Sequence, residues 1–97
     1  KKYNAPIYIT ENGLADADDS KRSMFIKDHL FWIQKAISEG TDVRGYFHWS
    51  LLDNFEWDKG YWPRFGLIEV DHKTLERKPR SSAYEYKKII SAQGRSV

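Results

Sequence analysis

The chain has 97 residues, 40% hydrophobic and 15% aromatic, enough for one compact unit and too apolar for a disordered one. Its 16 basic and 14 acidic residues are interspersed and sum to +2, which gives no electrostatic case for nucleic acid or a lipid surface. Cysteine is absent, so disulfides and thiolate metal sites are excluded, and no apolar stretch is long enough to span a bilayer. A cysteine-free chain fits a reducing compartment, and the opening KKYNAPIYIT has too short an apolar run for a signal peptide; a cytoplasmic location is expected. A strand begins within a few residues of the start, and the first residue is not Met. Both suggest part of something longer.

Residues 6–10, PIYIT, alternate bulky β-formers between Pro6 and the Asn12-Gly13 pair, and predict a strand. A polar loop follows over residues 15–19. A helix comes next, capped by Asp18, Asp19 or Ser20. Ile26, Leu30, Ile33 and Ile37 recur at helical spacing and form its apolar face, and Gly40 sits where a left-handed C-terminal cap belongs. Residues 43–49 predict a second strand, again apolar on both faces. Strand, helix, strand at this spacing is a βαβ crossover, and strands buried on both faces indicate a parallel sheet.

Residues 51–65 are aromatic and lack a clean period. A loop of this length in a compact domain is usually functional or disordered, and this one is too aromatic for disorder. Residues 67–70 and 75–77 predict a small hairpin turning near residues 71–74. Pro79 and Ser81 open a last helix over residues 82–92, with Ala83, Tyr86 and Ile90 toward the core. The tail, residues 93–97, is expected to fray. Two parallel strands leave both sheet edges unpaired, so the chain needs partner strands from elsewhere.

In parallel α/β architectures chemistry sits at the carboxyl ends of the strands. Glu11 follows the first strand and Trp49 closes the second, so both lie on one rim. A Glu at a strand end is most often a solvated charge. Here Asn12 and Gly13 follow at once, in a turn that fixes where the carboxylate points. A Glu held near an electrophilic carbon can act as a nucleophile, and glycoside hydrolysis uses two carboxylates flanking the bond. Trp49, Glu56, Trp57 and Phe65 could form a second apolar core, a role that suits Phe55 and Trp62. Glu56 beside Trp57 is a poor core pair, however. An indole stacked on a sugar, next to a carboxylate accepting hydrogen bonds from hydroxyls, is what sugar recognition needs. His29 and His48 read as hydrogen-bonded core residues, and His72 as an exposed turn residue. No spacing among them suggests a metal site. Lys73, Arg77, Lys78 and Arg80 read as a solvated face.

The stretches PIYITENGLA, GYFHWSLLDNFEW and GYWPRFGL together resemble the carboxyl-terminal part of glycoside hydrolase family 1, the β-glucosidase and β-glycosidase family. The resemblance covers nearly the whole chain, and in combination these motifs are highly specific. It implies an α/β fold: strands and helices seven and eight of a (β/α)8 TIM barrel, with residues 1–97 a carboxyl-terminal part of one domain. It implies that Glu11 is the catalytic nucleophile of a retaining enzyme. Trp49 would be the platform under the sugar, Glu56 the acceptor for its outer hydroxyls, Trp57 a further hydroxyl donor and Phe65 an apolar wall. It also implies a cis peptide after Trp49. The branch of the family acting on 6-phosphorylated sugars has Ser at position 56 and Lys and Tyr at positions 63 and 65. This chain has Glu56, Pro63 and Phe65, which favours unmodified β-glycosides. No cofactor or metal is implied.

The family's general acid/base lies in an Asn-Glu-Pro motif after strand four, and this chain has no such motif. The expected partners are therefore a β-glycoside substrate and a companion polypeptide carrying the amino-terminal part of the barrel. The isolated chain is expected to be inactive. Two other readings stand beside this one: a sugar-binding pseudoenzyme that lacks the acid/base, and a stand-alone barrel fragment that oligomerises to cover its edges.

Overall fold

A computed structural model describes residues 3–93. Strand β1 (Ile7–Asn12) pairs in parallel with strand β2 (Val43–His48), and helix α1 (Arg22–Ser38) connects them. The expected βαβ unit is present. β1 runs two residues past the predicted end and takes in Glu11. The ladder continues because Asn12 is still paired: it lies opposite His48, and its carbonyl accepts the Trp49 amide at 2.8 Å.

The end of α1 is built as its sequence predicts. Gly40 has φ +97°, its amide donates to the Ile37 carbonyl, and the Thr41 amide donates to that of Ala36. These are the paired bonds of a Schellman cap, which glycine enters without a Cβ penalty. The start differs from expectation. The residue before α1 is Lys21, whose amide is held by the Asp16 carboxylate at 2.8 Å, while Asp18 accepts the Ser20 amide. Asp19 caps the other helix instead.

The hairpin consists of β3 (Ile68–Val70) and β4 (Arg77–Pro79), paired antiparallel, and leads into α2 (Ser81–Ser91). The residue before α2 is Arg80, which carries no acceptor to cap a helix. The Asp19 carboxylate serves from across the chain, accepting the Ser82 amide at 3.0 Å and the Ser81 and Ser82 hydroxyls at 3.0 and 2.7 Å. An anion at a helix start also meets the positive end of the dipole.

Ile26, Leu67 and Ile89 form the core, with Leu30, Ala83 and Tyr86 packed against it. Ile89, not Ile90, is the inward residue of α2; Ile90 is exposed. The apolar stripe of α1 runs off this core, because α2 covers only part of its length, and Ile37 is left exposed. The described residues form a slab of 47 × 30 × 17 Å, with Ile7, Tyr8 and Phe47 exposed on the parallel strands and Phe31 and Trp32 exposed on α1. Apolar side chains on both the strands and the helix are thus left uncovered. Of the tail expected to fray, residues 94–97 lie outside the described residues, and Gln93 closes α2 through a bond to the Ile90 carbonyl.

Candidate active site

Glu11 owes its direction to an irregularity in β1. Ile9 lies opposite Tyr46 and Asn12 opposite His48, so three steps on one strand match two on the other. Ile9 and Asn12 both line the groove between the sheet and α1, although a regular pleat would send residues three apart to opposite faces. The extra residue re-aims the strand end, as bulges do beside active sites. Glu11 therefore leaves from the face away from α1, exposed at the carboxyl end of the strand. Asn12 is locked from behind, its side-chain oxygen accepting the Tyr46 hydroxyl at 2.9 Å. Burial, with Tyr86 nearby, pushes the Tyr46 hydroxyl up to about 12, so it remains a donor at any working pH.

Gly13 has a different purpose from the turn expected of it. It has no left-handed backbone; a Cβ there would stand 1.8 Å from the Trp49 carbonyl oxygen and 2.9 Å from its carbon. Glycine is what lets the two strand ends touch. Gly13→Ala should push them apart at a cost of about 1–3 kcal/mol, the usual range for overpacking. Denaturant unfolding of the complete barrel would measure this, and a loss near zero would count against the close approach.

Trp49 and Glu56 are brought together. The Trp49 indole N–H donates to Glu56 Oε1 at 3.0 Å, and the Trp49–Ser50 peptide is cis. Glu56 is half-buried. Trp57 opens a short 3-10 turn (Trp57–Lys59) and stands 82% exposed, so it shares the rim without packing into it. Phe65 is half-buried, and its carbonyl accepts the Ser50 amide at 3.1 Å, which ties the far end of the aromatic loop to the residue after Trp49. Phe55 and Trp62, expected as loop core, are exposed at 53% and 72%; Phe55 instead meets Tyr61 edge-on, with ring centroids 5.3 Å apart. Thus Glu11 and Trp49 stand at the ends of the two paired strands, Glu56 reaches back from the loop to the Trp49 indole, and the Phe65 carbonyl is tied to the residue after Trp49.

The profile described as "Glycosyl hydrolase family 1" matches residues 1–95. The chain belongs to glycosyl hydrolase family 1. It is 44% identical over 93 residues to a β-galactosidase of Sulfolobus acidocaldarius, covering 96% of this chain and 19% of that protein. It is 48% identical to β-glucosidase 42 of Arabidopsis thaliana, covering 93% of this chain and 21% of that protein. It superposes on the β-glycosidase of Thermosphaera aggregans with a TM-score of 0.93 at 41% identity, over 96% of this chain and 19% of the other. The chain therefore spans about a fifth of the length of the relatives it matches. The fold expected from the sequence holds: the chain matches a carboxyl-terminal segment of the family's TIM barrel, and the described residues have its strands and helices in place without a closed barrel.

Beneath the rim of this family 1 segment lies an ionic network that the sequence reading missed. Asp53 is 4% exposed and accepts five hydrogen bonds: from the Gly66 and Val70 amides, from Arg64 Nη1, and from Arg80 Nη1 and Nη2 at 3.0 Å each. Burial alone would raise its pKa, but the bonds from Arg80 and the two amides outweigh it and hold the carboxyl below the usual range. Arg80 is thus buried, not part of the solvated face expected of it, since only inside the chain can it reach Asp53 and the Gly66 carbonyl together. Acidic and basic residues inside an otherwise aromatic loop, Asp53 and Arg64, were the available signal.

Two of the three histidines also depart from expectation. His29 is hydrogen-bonded to the Phe25 carbonyl, as predicted. His48 has no hydrogen-bond partner for either ring nitrogen among the described residues. Burial first, and the Arg22 cation second, lower its pKa to about 4, so the ring is neutral. His72 is half-buried against Tyr61, with ring centroids 4.4 Å apart, because the aromatic loop folds back over the hairpin turn.

Proposed function

We propose that this chain is the carboxyl-terminal segment of a retaining β-glycosidase acting on terminal β-D-glucosides or related unmodified β-glycosides. Glu11 attacks the anomeric carbon as the glycosidic C–O bond breaks and the leaving oxygen takes a proton from the second carboxyl group; water then hydrolyses the covalent glycosyl intermediate, returning a proton to that group and freeing Glu11. Trp49 stacks under the sugar ring, Glu56 accepts its outer hydroxyls, Trp57 donates to a further hydroxyl and Phe65 closes one wall. The proton donor comes from the part of the barrel outside this chain. The observation that carries the reading is one juxtaposition: Glu11 and the Trp49–Glu56 pair sit at neighbouring strand ends, joined by the 2.8 Å bond from the Trp49 amide to the Asn12 carbonyl. The β-galactosidase and β-glucosidase names of the relatives agree with this substrate class.

Barrel enzymes need roughly 250 residues to close the sheet. The purified 97-residue chain should therefore show no hydrolysis of an aryl β-glucoside, and a companion polypeptide carrying the first six βα units should restore it. Turnover by the chain alone would overturn this reading.

Glu56 should govern sugar choice. Hydrogen bonds to charged groups contribute about 1.5–3 kcal/mol, or roughly tenfold to a hundredfold in rate. In the complete barrel Glu56→Ser should lower kcat/KM for glucosides and galactosides unequally, because their outer hydroxyls differ in direction. Equal or negligible losses would remove Glu56 from the sugar subsite.

A further inference from the structure

Arg22 is charged, lies in the first turn of α1 and is 0% exposed. A charge is buried only at high cost unless it is paired and hydrogen-bonded. Its Nη1 donates to the Asp19 carboxylate, and its Nη2 donates to three carbonyls: Asp16 at 2.8 Å, Arg64 at 2.7 Å and Leu14 at 3.3 Å. Those carbonyls belong to two separate loops. Leu14 and Asp16 follow the Glu11 strand end. Arg64 lies 42 positions from Arg22, at the far end of the loop that carries Glu56 and Trp57.

The clamp has a second strand. The Asp16 amide donates to the same Arg64 carbonyl at 2.9 Å, so one acceptor receives both the guanidinium and the opposite loop. The neighbouring Phe65 carbonyl holds the Ser50 amide, next to Trp49. A continuous path therefore runs from the Glu11 loop through Arg22 and Arg64 to Phe65 and the Trp49 platform. Stability alone does not call for this path, since the carboxylate that neutralises Arg22 already lies three residues before it in sequence. Only a planar fork of several donors can face one carboxylate and reach both loops at once; an ammonium of similar length cannot.

We propose that Arg22 is a positioning residue, which fixes the reach from Glu11 to the sugar by clamping the Glu11 loop to the loop that bears the sugar-binding residues. The inference rests on the role given to Glu11 above. A displacement of about 1 Å between a nucleophile and its target can cost a hundredfold in rate.

The test is a double-mutant cycle in the complete barrel, with activity measured at temperatures where each variant is folded by near-ultraviolet circular dichroism. Arg22→Lys keeps the charge opposite Asp19 and removes the fork. In the background with Glu11 present, kcat should fall about a hundredfold while KM changes little. In the Glu11→Ala background with azide as nucleophile, the same substitution should cost less than about threefold, because azide is not attached to the loop that Arg22 holds. An equal loss in both backgrounds would overturn the proposal and leave Arg22 a structural residue. Absence of azide rescue in Glu11→Ala alone would instead remove Glu11 as nucleophile, which is a separate failure. Arg22→Gln, a neutral donor that can still reach one carbonyl, should show the same asymmetry. Failure of both variants to fold at any temperature would also overturn the proposal, since Arg22 would then hold the barrel and not the site.

Discussion

Glu11→Ala in the complete barrel is expected to lower turnover of an aryl β-glucoside by more than about a thousandfold, because the other carboxylate of this site, Glu56, is engaged with the Trp49 indole and the outer hydroxyls and not with the anomeric carbon. Sodium azide or formate should restore part of the rate by occupying the space the carboxylate leaves. The product with azide should carry the anomeric configuration opposite to that of the substrate, since one displacement replaces two. The same geometry fixes a distance. A retaining pair of carboxyl groups lies about 5–5.5 Å apart, whereas an inverting pair leaves room for a water at about 6.5–9.5 Å. A structure of the complete barrel should place a second carboxylate opposite Glu11 at the shorter separation. Near-normal turnover by Glu11→Ala, or a separation in the longer range, would end the assignment.

Asp53→Ala is expected to cost about 3–5 kcal/mol of stability, the range for breaking a buried ion pair and leaving its partner unpaired. Two guanidiniums, Arg80 and Arg64, and the Gly66 and Val70 amides lose their common acceptor at once. Chemical unfolding of the complete barrel should show the loss as a lower midpoint. The contribution also has a sign in pH. Asp53 has a lowered pKa in the folded chain, so its stabilisation is fully present above the unfolded carboxylate value of about 3.9 and fades as the pH falls below it. Between pH 7 and pH 5 the Asp53-dependent stability should be flat. A midpoint unchanged by Asp53→Ala, or a difference that grows toward low pH, would contradict the network. The loop that Asp53 anchors also carries Glu56 and Trp57, so a loss of sugar affinity should accompany the loss of stability.

The residues that lie close in sequence were legible from it. PIYIT gave β1, the spacing of Ile26 and Leu30 gave α1, and Gly40 gave its cap, because each depends on neighbours within a turn or a pleat. The family motifs run contiguously through ITENG and HWSLLDNFEW, so Glu11, Trp49 and Glu56 could be named as candidates. Arg22, Asp53 and Arg80 could not, since what distinguishes each is a partner far along the chain. Asp53 meets Arg80 across 27 positions and Asp19 meets Ser82 across 63. A charge run such as Arg77-Lys78-Pro79-Arg80 looks uniform in sequence, and only packing decides which member turns inward.

The sequence by itself determined the order of elements, the parallel pairing of two strands too few to form a sheet alone, and the residue types at the strand ends. Those follow from local periodicity and from the need to bury apolar faces. Tertiary structure decided what each special residue is for. Gly13 is required by the Trp49 carbonyl and not by a turn, the offset in β1 between Ile9 and Asn12 turns Glu11 away from α1, and Asp19 leaves its own helix to cap α2. Each of these depends on a distance between groups remote in sequence, and such distances exist only once the chain has packed.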